Sequence, residues 1–321
     1  MTTSAHPSSA PIRVLFAAGP GAWERYREVL PDALAARGVA AEIVLPEDGP
    51  DPAGIDWIVH APDGPVQDFT LYRNLRGVQS LWAGVEGVAG NRTLRAPLLR
   101  MVDEGLRQGM VEWVAAHVLR HHLGLDRHLR GEGRWGERPP PLATERSVAV
   151  LGMGALGGAC AGALAHLGFP VSGWSRRPHG VEGVRALAGE DGLREALGGA
   201  DIVVLLVPLT PATENLLDAR RLAWMRPGAV LLNPGRGGLV DDAALLAALD
   251  GPLGHATLDT FRTEPLPPDH PFRHHPKVTV TPHIAAATRP ASASGVVAEN
   301  LRRAQAGEPL LHLVDRAEAL A

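Results

Sequence analysis

Residues 147–157 restrict the fold of this chain more than any other stretch. Ser147-Val148-Ala149-Val150-Leu151 is a short apolar run with β-branched residues, the pattern of a parallel strand buried on both faces. It runs directly into Gly152-Met153-Gly154-Ala155-Leu156-Gly157, a GxGxxG turn. Leu156, Cys160, Ala163, Leu164 and Leu167 then recur at helical spacing, and Gly168 and Pro170 stop the helix. Val171-Ser172-Gly173-Trp174 reads as the next strand. A glycine-rich turn in some other α/β sheet is the plain alternative, but strand, glycine turn, helix and strand in succession favour a dinucleotide site. The glycines let the backbone turn tightly and approach a pyrophosphate, whose charge is met by the helix N-terminus.

From this motif onward strands and helices alternate. Strands are predicted over residues 202–207, 229–233, 255–259 and 278–281, with helices near 193–197, 218–225 and 241–249. Gly198, Gly228 and Gly251 are read as punctuation after those helices. Such alternation implies a parallel, doubly wound α/β sheet. Before the motif lies a small α/β unit: strands over 12–17, 41–45, 57–60 and 79–83, a helix over 23–36 closed by Gly38, and a helical stretch around 69–76. A long helical pattern covers 100–125, and the charged, Gly- and Pro-rich segment 127–145 reads as an extended surface loop. The final helix, about 290–306, has no further strand to feed and is expected to pack back on the first unit, which makes that domain discontinuous. A length of 321 residues is enough for two domains, each with a core. They are placed at 1–98 with 290–321, and at 99–289.

Composition narrows the function. A net charge of −4 gives no reason to expect nucleic acid or an anionic membrane as partner. No apolar run approaches the roughly 20 residues that span a bilayer. Residues 1–11 are polar, without a basic region or an apolar stretch, and read as a loose tail rather than a signal peptide, so a cytoplasmic location is expected. The Asn91-Arg92-Thr93 sequon carries no weight without a secretory signal. The single cysteine, Cys160, falls on the apolar helix face and reads as a core residue. Lys277 is the only lysine among 31 basic residues, so an isolated arginine says little by itself. With 14 histidines the same caution applies to the groups His117, His121 and His122 or His270, His274 and His275, and no metal is expected.

Ligands of an open parallel sheet bind beyond the carboxyl ends of its strands. After Val207 comes Pro208-Leu209-Thr210-Pro211-Ala212-Thr213, a rigid loop suited to wall a cofactor. Arg236 sits in the glycine-rich Pro234-Gly235-Arg236-Gly237-Gly238, Asp259 ends a strand with Glu264 just beyond, and His283 follows another strand. Each has a bland reading: a solvated arginine, a turn-shaping glutamate, a structural histidine. Together they meet the needs of 2-oxo acid reduction, which are a fixed cation for the carboxylate, an acid for the ketone oxygen and a carboxylate to orient that acid. At the end of the second strand, Ser175-Arg176-Arg177 stands where an NAD site usually places an acidic residue. A hydroxyl and two arginines suit a 2′-phosphate, so NADP(H) is the expected cofactor, with NAD(H) as the alternative.

Residues 152–157, 233–241, 258–267 and 281–285 resemble the D-isomer-specific 2-hydroxyacid dehydrogenases, and the likeness extends over nearly the whole chain after the tail. Residues 100–104 and 110–114 are similar to the glyoxylate/hydroxypyruvate reductase A branch. The resemblance implies two doubly wound parallel-sheet domains, a Rossmann cofactor domain and a smaller flavodoxin-like substrate domain. By position, Arg236 matches the substrate-binding arginine, His283 the acid/base, Glu264 its partner carboxylate, and Asp259 the residue that holds the nicotinamide carboxamide. Ser80-Leu81-Trp82-Ala83-Gly84-Val85-Glu86 resembles the substrate loop, so the Ala83, Gly84 and Val85 amides are expected to receive the substrate carboxylate. Trp82 stands where the pattern is small, and Glu86 where aspartate is commoner. The resemblance further implies a homodimer in which residues 127–145 embrace the partner. A nucleotide-sensing corepressor on the same scaffold is the rival reading; a methyltransferase would leave Arg236, Glu264 and His283 without a purpose.

Overall fold

A computed structural model describes residues 11–177 and 180–319, so the tail expected over 1–11 lies, apart from Pro11, outside the described residues. The chain divides into two units, Met1–Gly105 with Thr288–Ala321, and Leu106–Ala287. Sequence reasoning puts these limits at 98/99 and 289/290; the structure keeps 99–105 with the first unit because Leu99 belongs to its sheet and the next residues are bonded into it.

In the first unit β1 (Ile12–Ala17), β2 (Ala41–Val44), β3 (Trp57–His60), β4 (Gly77–Ser80) and β5 (Leu98–Leu99) form a parallel sheet in the order β2-β1-β3-β4-β5. This is the flavodoxin-like order. Side chains alternate across it. Val14, Phe16, Trp57 and Val59 join one core, while Leu15, Ala17, Ile58 and Val78 join the other. The helix Pro290–Ala306 contributes Ala293, Val297, Ala298 and Leu301 to the first of these cores, beside Leu30 and Leu34 of the helix Val29–Ala36.

In the second unit β6 (Val148–Leu151), β7 (Val171–Trp174), β8 (Val184–Leu187), β9 (Ile202–Leu205), β10 (Val230–Asn233), β11 (His255–Leu258) and β12 (Val278–Val280) form a parallel sheet ordered β12-β11-β10-β9-β6-β7-β8. The order reverses between β6 and β9, the switch point of a Rossmann sheet. Val148, Val150, Ile202 and Val204 pack on one face; Ala149, Leu151, Val203 and Leu205 pack on the other. A strand covered on both faces is apolar at every position, which is why β6 and β9 read as unbroken apolar runs. Among the described residues no helix is long and apolar enough to cross a membrane.

Several expected elements differ. The helix expected over 23–36 is two, Ala22–Tyr26 and Val29–Ala36. Pro31 lacks an N–H, and its ring would meet the carbonyl of Arg27 in a continuous helix. Residues 69–76 form turns instead of a helix. The Asp68 carboxylate draws the Thr70 N–H (2.9 Å) and hydroxyl (2.8 Å) to itself, competing with helical bonds. The strand expected over 79–83 ends at Ser80, whose hydroxyl bonds the Trp82 N–H (3.0 Å) and carbonyl (3.1 Å) and turns the chain out of the sheet. The long helix is Glu104–Leu123 and not 100–125, because the Arg100 N–H donates to His312 and the Met101 N–H to Trp82, which keeps that stretch extended. A helix at Leu125–Leu129 shortens the expected surface loop. Gly198 lies inside the helix Gly189–Gly199, so it does not punctuate it. The helix expected over 218–225 is reduced to Ala219–Leu222. β8 escapes sequence reading because it is an edge strand without a buried face.

Candidate active site

The residues after β6, β7, β9, β10, β11 and β12 all leave the carboxyl edge of one parallel sheet. At the first of these, Gly152 has φ 106°, and a Cβ there would lie 2.4 Å from the carbonyl carbon of Leu206. A Cβ on Gly157 would come within 1.7 Å of the Gly152 oxygen, so the helix Ala155–His166 can start this close to β6 only with glycine there. Gly154 is different: a Cβ on it would meet nothing within 4 Å. It caps the helix without a side-chain bond, and the Gly154, Ala155 and Leu156 amides have no acceptor among the described residues. A side chain here would fill the space in front of those donors, which is the fit required for a pyrophosphate. Met153 is buried beneath β7, where a Cβ on Gly173 would lie 2.4 Å from its sulfur. Beyond β7, the Ser175 hydroxyl donates to the Arg177 carbonyl at 2.5 Å, and Arg176 and Arg177 are exposed.

Past β9, Val207 is buried and Pro208 is exposed. The Thr213 hydroxyl donates to the Pro208 carbonyl at 2.6 Å and accepts from the Thr210 N–H at 2.8 Å, so it closes the loop on itself. Past β10, Asn233 shapes the turn that carries Arg236: its amide donates to the Arg236 carbonyl (2.9 Å) and its oxygen accepts from Gly235 (3.2 Å). The Arg236 guanidinium donates to the Gly235 carbonyl at 2.8 Å.

The histidine turn is organised by Asp259, which is fully buried at the end of β11. Its carboxylate accepts from the Thr281 hydroxyl (2.5 Å), the Ile284 N–H (2.9 Å) and the Ala285 N–H (2.9 Å), and its carbonyl accepts from the His283 N–H (2.9 Å). His283 is thereby held at φ 54°, a conformation few non-glycine residues adopt. Its Nδ1 lies 2.7 Å from Glu264 Oε2, and the other carboxylate oxygen accepts from the Phe261 N–H at 2.8 Å. Nδ1 is engaged, so Nε2 is the nitrogen left for a ligand. Sequence reasoning misses the work of Asn233 and of Asp259 on this turn, although an Asn at a strand end and the Thr281-Pro282 pair are turn signals that point to it.

The D-isomer specific 2-hydroxyacid dehydrogenase NAD-binding domain matches residues 113–285. This chain belongs to the D-isomer specific 2-hydroxyacid dehydrogenase family. It is an NAD(P)-dependent oxidoreductase. It is 39% identical over 251 residues to glyoxylate/hydroxypyruvate reductase A of Serratia proteamaculans, a match that covers 75% of this chain and 80% of that one. A solved D-isomer specific 2-hydroxyacid dehydrogenase from Xanthobacter autotrophicus Py2, in complex with NADPH and MES, is 37% identical with a TM-score of 0.88 and covers 97% of this chain and 100% of its own. The NADPH-dependent glyoxylate/hydroxypyruvate reductase of Sinorhizobium meliloti, in complex with NADP and sulfate, is 34% identical with a TM-score of 0.82, over 96% and 99% of the two chains.

The expected substrate loop of this dehydrogenase lies in its first unit. Trp82 is 46% exposed, and its carbonyl accepts from the Met101 N–H at 3.0 Å. The Thr288 hydroxyl holds the neighbouring Leu81 carbonyl at 2.7 Å. The amides of Ala83, Gly84 and Val85 donate to no atom among the described residues.

The histidine groups are dispersed. His270, His274 and His275 turn to Asp242, the Pro268 carbonyl and Asp250, and His122 packs on Phe169. Among the described residues no cluster of three or more His, Cys, Asp or Glu is arranged to hold a metal. His121 instead packs at 4.9 Å against His255 with the rings tilted by 45°, and these two rings bond the Thr257 and Thr279 hydroxyls at 2.9 Å each. His117, Arg120 and Asp126 surround them. Burial first, then the positive fields of His255 and Arg120, pushes His121 down to about 3; burial, then Arg120, pushes His255 down to about 4. Asp126 opposes both shifts.

The fold therefore holds these rings neutral, while in the unfolded chain they titrate near 6.5. Below that pH the unfolded state binds protons the folded state does not. The stability they contribute is complete above about pH 6.5 and is lost as the pH falls towards 4 and then 3. Urea midpoints measured from pH 7 to 4 should fall with pH, and His121→Asn should flatten the slope. A variant with the wild-type slope would remove this pair as its source.

Proposed function

We propose that this enzyme reduces small 2-oxo acids, glyoxylate and hydroxypyruvate, to 2-hydroxy acids with NADPH. The observation that carries the reading is the 2.7 Å His283–Glu264 pair on the sheet edge that also bears the Arg236 turn and the glycine turn. When bound, a reduced nicotinamide supplies the hydride for C2 of the substrate. Arg236 grips the substrate carboxylate with its planar fork. His283 gives a proton from Nε2 to the oxygen that becomes the hydroxyl. Glu264 fixes the orientation and tautomer of the ring through Nδ1. Asp259 accepts three bonds to its carboxylate from residues 281–285, so its first contribution is to place His283.

NADPH is favoured because Arg176 and Arg177 are exposed beside Ser175 and no carboxylate stands at that strand end. The NADPH and NADP bound by the two solved relatives agree with this. Charge-assisted bonds of about 1.5–3 kcal/mol each correspond to a preference of roughly tenfold to a hundredfold per contact. The deciding experiment is a panel of 2-oxo acids assayed with NADPH and with NADH. Glyoxylate and hydroxypyruvate should turn over, phenylpyruvate poorly because of Trp82, and Ser175→Asp with Arg176→Ala should reverse or erase the cofactor preference. Fast phenylpyruvate reduction would refute the small-substrate reading, and an NADH preference in the unaltered protein the reading of Ser175 to Arg177. Absence of turnover with every acid would favour the corepressor class.

We also expect a homodimer, with residues 127–145 against the partner. Trp135 and Leu129 are exposed large apolar side chains of that segment. Sedimentation should give twice the chain mass, and a monomer at micromolar concentration would end the idea.

A further inference from the structure

Arg262 lies in the turn after β11, three residues beyond Asp259 and two before Glu264. Its side chain is bound into the turn that carries Arg236. Its Nη2 donates to the Val240 carbonyl at 2.8 Å, to the Gly238 carbonyl at 3.2 Å and to the side-chain oxygen of Asn215. Asp242, on the first turn of the helix Asp242–Asp250, is 3.7 Å from its Nε, and Glu214 is 3.5 Å from its Nη1.

The backbones are pressed together at the same place. A Cβ on Gly237 would lie 2.0 Å from the Phe261 carbonyl carbon and 2.4 Å from the Arg262 nitrogen. Asn215 adopts φ 50°, and its N–H donates to Gly238 at 2.9 Å. Three segments therefore meet on one guanidinium: the loop that ends at Asn215, the turn of residues 236–240, and the turn that leads to Glu264.

We propose that Arg262 is a positioning residue that fixes the direction of Arg236, and so the affinity for the substrate carboxylate, by clamping residues 237–240 against the Glu264 turn. The clamp needs arginine. Nη2 faces the three oxygens while Nη1 and Nε of the same plane face Glu214 and Asp242, a division of donors over three nitrogens that the single ammonium of lysine does not reproduce. The side chain is 33% exposed, enclosed enough for its bonds to be directional and open enough that its removal leaves no cavity in the core.

The proposal rests on the reading that Arg236 binds the carboxylate, and its test separates the two. Arg262→Ala and Arg262→Lys would be compared with the unaltered enzyme in glyoxylate kinetics, NADPH affinity and amide hydrogen exchange. In Arg262→Ala, exchange at residues 237–240 should quicken, and KM for glyoxylate should rise about tenfold, as for loss of one charge-assisted bond. kcat and the NADPH Kd should change less than about threefold, because the acid and the glycine turn are untouched. Arg262→Lys should restore only part of the KM.

Unchanged exchange at 237–240, or full rescue by lysine, would overturn the clamp. So would a fall in kcat or melting temperature with KM unchanged, the signature of a merely structural role. If the unaltered enzyme reduced no 2-oxo acid, the function assigned to Arg236 would fail, while the exchange measurement would still decide whether Arg262 holds the turn.

Discussion

Replacing His283 should lower reductase turnover by roughly 10²–10⁴, the usual contribution of a positioned acid/base, while NADPH affinity stays nearly intact. Asparagine is the better substitute for this test than alanine. His283 sits at φ 54°, a left-handed conformation that asparagine tolerates and alanine resists, so His283→Asn removes the proton donor with less disturbance of the turn. Steady-state kinetics with glyoxylate, beside cofactor binding followed by fluorescence, separates the chemical step from binding. A kcat near that of the unaltered enzyme would take His283 out of the mechanism. Glu264→Gln is the companion variant. Its 2.7 Å contact fixes the ring through Nδ1, and glutamine presents that nitrogen with an amide in place of a carboxylate. The kcat for glyoxylate should therefore fall while NADPH affinity is unchanged, and an unchanged kcat would count against the pairing.

Arg236→Lys should cost about tenfold to a hundredfold in kcat/KM for every 2-oxo acid, the equivalent of one lost charge-assisted bond. Lysine keeps the charge but cannot reproduce a two-pronged grip on a carboxylate. The loss should be uniform across the panel, because the carboxylate is common to all the substrates and the side chains are not. Normal kinetics in the lysine variant would reduce Arg236 to a surface charge. A loss confined to one substrate would place it near the variable group instead.

Arg236, Asp259 and His283 follow the neighbouring strands β10, β11 and β12, and for the first the reason is local. β6, β9 and β10 are covered on both faces, so their apolar runs mark their own ends, and whatever follows lies on the ligand edge. Pro31 likewise announces the break in the first helix, a signal that was there to be read. Elements fixed by distant partners were not legible. Residues 100–103 resemble a helix start until His312 and the Trp82 carbonyl hold them extended.

The sequence by itself determined the two parallel α/β folds, the glycine turn, and the arginine, glutamate and histidine at the carboxyl edge, because apolar period, glycine spacing and strand ends are properties of neighbours along the chain. Only the tertiary structure decided how those groups are aimed. The Asp259 carboxylate reaches the Ile284 amide 25 residues away, the Glu264 carboxylate reaches His283 across 19, and Arg262 spans 47 residues to Asn215. Bonds between segments so far apart leave no periodic trace in the sequence; they exist only once the parallel sheet has brought the strand ends side by side.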